Sequence, residues 1–225
     1  MKKFSDQQII ASWQTNARPW VTAVREGSIE SRRLVTNQAI IDAILDCAPQ
    51  TVLDIGCGEG WLVRELAKAG IGSLGIDIIP ELINSAEQGG GGRFRQLSYE
   101  QLSADILKEK FDVAVCNFSL LGHESVNHLF QQVPALLHKS GAFLVQTIHP
   151  VAGCGEANYE DGWREGSWTG FSDEFRDPAP WYFRTLETWK SLFLDKGFRL
   201  KQIVEPINPK TNTPASIIFS AVPNN

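Results

Sequence analysis

Residues 52–61, VLDIGCGEGW, decide the fold. A short apolar run carries Asp54, and Gly56, Gly58 and Gly60 follow it at alternate positions. An apolar run of this length stopped by glycine predicts a buried strand. The glycines let the next stretch of backbone turn tightly and approach a ligand with no Cβ in the way. Strand and helix signals then alternate outward from this segment. The pattern predicts strands at 51–55, 72–76, 93–97, 113–117 and 142–148, with helices at 61–69, 80–88, 101–108 and 126–138. Such alternation implies a mostly parallel sheet with helices on both faces.

The flanks complete the expectation. Residues 5–47 carry helical spacing in Ile9, Ile10, Trp13, Ala17 and Trp20, with Pro19 expected to interrupt. A second helix opens near Ser28, has Ile40, Ile41, Ile44 and Leu45 as its apolar face, and stops at Pro49. Residues 151–183 hold five glycines, three tryptophans and many acids without a period, the signature of a functional loop or lid. A helix at 185–196 and strands at 198–204 and 215–222 follow. Pro206 to Pro209 is too short for a helical crossover, so these two strands pair antiparallel. The expected fold class is α/β: a Rossmann-like doubly wound sheet of seven strands, mostly parallel with an antiparallel last strand, plus an N-terminal helical cap. One domain, 1–225, divides into a helical cap (1–48), a cofactor-binding core (49–150), a substrate lid (151–183) and a C-terminal helix and strand pair (184–225).

Bulk composition narrows the function. The chain has 225 residues and a net charge of −5, and no Lys/Arg block of nucleic-acid-binding size. Nucleic acid is therefore not an expected partner. Cys47, Cys57, Cys116 and Cys154 form no CxxC pair and no zinc spacing, so no metal is expected and free thiols point to a reducing compartment. No run approaches the ~20 apolar residues of a membrane span. MKKFSDQQII has no apolar h-region after its lysines, and the expected location is cytoplasmic, as a monomer or homodimer. Gly89–Gly92 reads as a helix stop and flexible turn.

The spacing in the loop is GxGxG. A dinucleotide fingerprint is GxGxxG, and its third glycine would here be Trp61. No GK[ST] follows, so a phosphate loop also fails. Asp54 would repel a pyrophosphate and suit a cation. The ligand expected is a positively charged nucleoside without phosphate, and S-adenosylmethionine fits. Asp77, ending the second apolar run, can accept the hydroxyls of a ribose.

VLDIGCGEG, LGIDII at 74–79 and FDVAVCNFSLL at 111–121 resemble the ordered motifs of class I S-adenosylmethionine-dependent methyltransferases. WYFRTLETWKSLFLDKGFRLKQIVEP at 181–206 is similar to the ending of small-molecule members. The resemblance implies S-adenosylmethionine as cofactor, S-adenosylhomocysteine as product and a small-molecule acceptor. It implies that Asp54, Gly56, Cys57 and Gly58 meet the methionine part, Asp77 the ribose and Ile78 the adenine. Ser98 or Tyr99 stands where the family often has an acid for the adenine amine. Asn117, followed by Phe118, matches the position that meets the ammonium. Trp20 is expected to close the cap over the ligand, and Arg33 or its neighbour Arg32 to meet the cofactor carboxylate. His149 and His123 follow strands on the substrate side and are the candidate bases. Trp168, Tyr182 and Arg184 are candidate acceptor contacts, within an aromatic lid whose acids could attract a cation. Three rivals stand beside this reading. A protein- or nucleic-acid-directed methyltransferase lacks its [ND]PP[YF] loop here; an NAD(P) oxidoreductase conflicts with Trp61; a non-catalytic binding module would turn over no acceptor.

Overall fold

A computed structural model describes residues 4–224. Residues 1–3, with the lysine pair of the N-terminal segment, and residue 225 lie outside the described residues, so the cap and the C-terminal segment are described without them. The chain opens with α1 (Asp6–Arg25), then a π-helical turn (Arg32–Thr36) that runs into α2 (Asn37–Leu45). The alternating core follows: β1 (Thr51–Ile55), α3 (Trp61–Lys68), β2 (Gly72–Asp77), α4 (Pro80–Gly89), β3 (Arg93–Gln96), α5 (Ala104–Leu107), β4 (Phe111–Asn117), α6 (Glu124–Leu136) and β5 (Leu137–Thr147). Next come α7 (Pro150–Cys154), β6 (Gly162–Arg164), β7 (Trp181–Phe183) and α8 (Leu186–Asp195). β8 (Phe198–Val204), a small hairpin of β9 (Ile207–Asn208) and β10 (Thr213–Pro214), and β11 (Ile217–Pro223) close the chain.

Seven strands form the main sheet in the order β3-β2-β1-β4-β5-β11-β8. β3 through β5 pair parallel, and β11 runs antiparallel to both β5 and β8. The order reverses between β1 and β4, and in open sheets of this kind ligands bind above the strand ends at such a reversal. Strand alternation explains why the central strands are apolar throughout. Leu53 and Ile55 of β1, with Ala114 and Cys116 of β4, join the cluster under α6 and α8. Val52, Val113 and Val115 join the opposite cluster against α2 and α3. Both faces are covered, so each strand needs apolar side chains on both.

Two expectations need correcting. Pro19 does not interrupt α1, which runs through it. The Thr15 carbonyl that proline deprives of its donor sits on an exposed turn, where water can replace the bond. The stretch 151–183 is not without structure: it contains α7 and the antiparallel pair β6/β7, with Trp163 opposite Tyr182. Strands of three residues are too short to declare a period. Between them, residues 166–179 form a loop with a narrow neck, since a Cβ on Gly166 would overlap the Ala179 carbonyl oxygen. All four cysteines are free.

Candidate functional site

A cavity of about 470 Å³ opens above the carboxyl ends of β1, β2 and β4, under α1 and the 166–179 loop. Its floor is the glycine loop. Gly56, Gly58 and Gly60 all have positive φ, from 57° to 81°, which a side chain would strain. Two of them also have a steric reason. A Cβ on Gly56 would overlap Ser119 and the Tyr99 hydroxyl, and one on Gly60 would lie 2.9 Å from Ala86 and Phe94. A Cβ on Gly58 would make only ordinary contact, 3.6 Å from the Trp20 indole nitrogen, so its positive φ alone favours glycine where the backbone borders the cavity.

Asp77 fastens this loop. Its carboxylate accepts from the Gly58 N–H at 2.9 Å and the Ile79 N–H at 2.9 Å. Burial pushes its carboxyl up, and those backbone donors oppose the shift. Asp54 is also buried, and its Oδ2 has no partner. Burial, then the charge of Asp77, pushes the Asp54 carboxyl up to about 7, with Arg32 pulling the other way. Thr36 Oγ1 and Asn117 Oδ1 are likewise buried without partners, and both residues line the cavity. Asp54 is buried and is not among the lining residues, so two unpaired groups on the cavity wall, with that carboxylate buried behind the lining, are what a polyvalent donor such as an ammonium would satisfy.

Arg32 lines the same end. Its guanidinium lies 5.8 Å from the Trp20 ring centroid and 5.1 Å from that of Trp61, and burial lowers its pKa to about 10. It donates to Asn37 Oδ1 at 3.1 Å, across the π-helical turn. Arg33 is exposed and does not line the cavity. The next residue of any helix points a quarter-turn or so away, so only one of the two arginines faces inward. Ile78, Ile79, Leu82 and Trp13 supply an apolar wall, with Trp13 edge-on to Trp20 at 5.0 Å. Phe118 lines the cavity with φ 56°, an uncommon conformation for a bulky residue and one that collects at functional sites.

The structure brings Trp20, Gly56, Gly58, Asp77, Ile78, Tyr99, Asn117, Phe118 and Trp168 to the cavity wall. Other expected residues stand elsewhere, Asp54 among them: it is buried in β1 and does not line the cavity. Cys57 turns its thiol toward Gly75, where an added Cβ would lie 2.9 Å from Sγ, and does not line the cavity. Ser98 caps the following turn, accepting from the Gln101 N–H, while Tyr99 and Glu100 line the cavity. His149 is buried against Glu205, Nε2 to Oε1 2.9 Å, and does not line the cavity; its neighbour Ile148 does, because adjacent residues of extended chain face opposite ways. His123 stands at the N-terminus of α6, its ring 4.2 Å from Tyr182, outside the lining. Trp181 takes the inward place on β7, so Tyr182 faces away by the same alternation. Arg184 is buried behind the β4–α6 loop, donating to the Gly122 carbonyl at 2.9 Å. The lid acids Glu156, Glu160, Asp161, Glu165, Asp173 and Glu174 are exposed, and none lines the cavity.

Among the lining residues that sequence reasoning missed, two bear most on the chemistry. Thr36 is one; the π-helical register that turns it inward has no sequence mark. Asp6 is the other, and in the sequence it is an ordinary first-turn acid of a helix. Among the described residues no group of His, Cys, Asp or Glu could hold a metal ion, and no helix is long and apolar enough to cross a membrane.

The chain is similar to known proteins. A family model described as a methyltransferase domain matches residues 30–203. The ubiquinone biosynthesis O-methyltransferase of Methylococcus capsulatus is 38% identical over 80 residues, 34% of this chain and 34% of that protein. Its namesake from Glaesserella parasuis is 33% identical over 110 residues, 45% of this chain and 46% of that one. The chain thus spans about a third to a half of the length of these curated relatives. In three dimensions it is similar to the Burkholderia thailandensis 1,6-didemethyltoxoflavin-N1-methyltransferase, with TM-score 0.66 and 18% identity, covering 100% of this chain and 93% of that one. A Mesorhizobium loti S-adenosylmethionine-dependent methyltransferase gives TM-score 0.61 and 22% identity over 80% and 95% of the two chains. At these identities the structural likeness speaks for the fold.

Proposed function

The chain belongs to the class I S-adenosylmethionine-dependent methyltransferase family, and from that premise we propose that it transfers the cofactor's methyl group to a small, largely apolar acceptor. The observation that carries this reading is the cavity itself: unpaired buried acceptors at one end and an apolar, aromatic chamber at the other. Thr36 and Asn117 on the wall suit the ammonium of the methionine part, with the buried Asp54 carboxylate as its counter-charge, and Arg32 suits its carboxylate. Asp77 suits the ribose, with Ile78, Ile79 and Leu82 against the adenine. The bound cofactor supplies an electrophilic methyl on a sulfonium, whose leaving group departs neutral.

The chain's own residues then have two tasks. One is alignment, worth up to ~7–11 kcal/mol when reactants are held in line. Trp168, Phe171 and Trp181 from the lid and Ile9, Ile10 and Trp13 from α1 restrict where a flat acceptor can lie. The other task is keeping water out of a site where charge disperses as the methyl moves. No histidine lines the cavity, so we infer that neither His149 nor His123 acts as a base on the acceptor. The curated relatives methylate oxygen by name, and they match less than half of this chain.

Calorimetric titration with S-adenosylmethionine and S-adenosylhomocysteine tests the cofactor end, and saturable binding of both is expected. Incubation with methyl-labelled cofactor and a metabolite extract, read by mass spectrometry, tests the acceptor end. A labelled small product is expected, formed at an undiminished rate by His149→Ala. Label found only on protein or nucleic acid would overturn the small-molecule reading.

A further inference from the structure

The half of the cavity away from the glycine loop is walled by α1, the β4–α6 loop, the end of β5 and the lid. Asp6 is the one ionisable side chain among the lining residues that these elements contribute. The remaining ionisable lining groups, Arg32, Asp77, Tyr99 and Glu100, come from elements at the cofactor end. We propose that Asp6 selects the acceptor by charge, admitting a small molecule that presents a neutral or cationic hydrogen-bond donor and excluding anions. This rests on the function proposed above for the same cavity.

Geometry holds the carboxylate in place. Asp6 Oδ1 accepts from the His123 N–H at 3.0 Å, and Oδ2 from the Ser125 N–H at 2.7 Å. A carboxylate offers about four acceptor sites, so roughly two are left for a ligand. Gly122 keeps the approach clear, because a Cβ there would lie 2.7 Å from Oδ2. Burial pushes the Asp6 carboxyl up, but the Ser125 and His123 donors outweigh it and hold it below its ordinary value. The group is therefore an ionised acceptor and a poor base at neutral pH.

The surroundings give that charge its leverage. Ile9, Ile10, Trp13, Trp168 and Trp181 are poor solvents for ions, so like charges repel there more than in water. The nearby cation, Arg184, sits behind the loop, where Nη2 donates to the Gly122 and His123 carbonyls and Nη1 is buried without a partner. It does not line the cavity and offers an anionic acceptor no partner. A phenol, alcohol or amine would meet a hydrogen-bond acceptor instead.

Three probes of matched size separate these cases: tyramine, tyrosol and 4-hydroxyphenylacetate, titrated by calorimetry into protein saturated with S-adenosylhomocysteine. Tyramine and tyrosol should each bind at least about tenfold tighter than the acid, and Asp6→Asn should bring the three within about threefold, while Asp6→Glu keeps the discrimination. A role confined to fastening α1 to α6 would weaken all three probes together and leave their ratio unchanged, which would overturn the proposal. Equal binding of the acid to the native protein, or binding of none of the three, would overturn it as well. Should Asp6→Asn not fold, Asp6→Ser carries the same comparison, since its hydroxyl can still cap α6. Failure of S-adenosylhomocysteine itself to bind would instead strike the function proposed for the cavity.

Discussion

Asp54 illustrates what burial does to a single residue. It has no hydrogen-bond partner on Oδ2, and its carboxyl is pushed up to about 7. For an acid raised in the folded state, the folded chain binds more protons than the unfolded one between the two pKa values. Stability from this group therefore falls as pH rises from about 4 toward 7, then levels off. A cationic ligand reverses that balance, because the ammonium favours the ionised form. Binding of S-adenosylmethionine should strengthen about tenfold between pH 6 and pH 8, the change in the ionised fraction of a group titrating near 7. Asp54→Asn should bind more weakly at pH 8 and lose most of this dependence, as calorimetry at several pH values would reveal. A slope unchanged in the variant would assign the titration to another group. The burial of Asp54 was legible in the sequence because its place in an apolar run fixes its depth, but its absence from the cavity wall was not. Arg32 was less so, because the choice between Arg32 and Arg33 depends on a helical register that a π-turn shifts.

At the scale of elements, the two pieces of the roof act together. The Asn16 side chain donates to the Arg176 carbonyl at 2.7 Å and accepts from the Arg176 N–H at 2.8 Å, joining α1 to the 166–179 loop. Ser12 Oγ adds a bond to the Asp177 carbonyl at 2.6 Å, and Trp13 meets Trp168 edge-on at 5.8 Å. Asn16 is fully buried, so truncating it leaves backbone groups unpaired at a cost of roughly 1–3 kcal/mol. Asn16→Ala should loosen the loop locally. Trypsin cleavage after Arg176 should accelerate about tenfold or more, and saturating S-adenosylhomocysteine should slow it again. Equal cleavage rates would mean that the aromatic contacts alone hold the roof. These contacts explain which elements could be read from sequence. The parallel core has long runs of one period, and its strands and helices emerged nearly where expected. The lid did not, because its order comes from residues 160 or more positions away, such as Asn16, and not from local repetition.

The whole molecule separates holding the ligand from holding the fold. On the β5-β11-β8 side, Phe130 packs edge-on against Phe143 at 5.0 Å and Phe193 at 4.9 Å, with Phe198 and Phe219 completing the aromatic cluster. None of these five lines the cavity. The cavity side carries the opposite character: positive-φ glycines, unpaired acceptors and buried carboxylates, each unfavourable to stability until a ligand arrives. The aromatic half thus offsets the strain of the binding half. Phe130→Ala should lower unfolding free energy by roughly 3–5 kcal/mol in urea, while leaving the affinity for S-adenosylhomocysteine within about twofold. Asp54→Asn should show the reverse pattern, a weaker complex from a chain no less stable at neutral pH. Combined, the two changes should add, because they share no partner and act on separate clusters. A double variant whose stability departs from the sum by more than about 1 kcal/mol would mean that the sheet transmits strain from one half to the other.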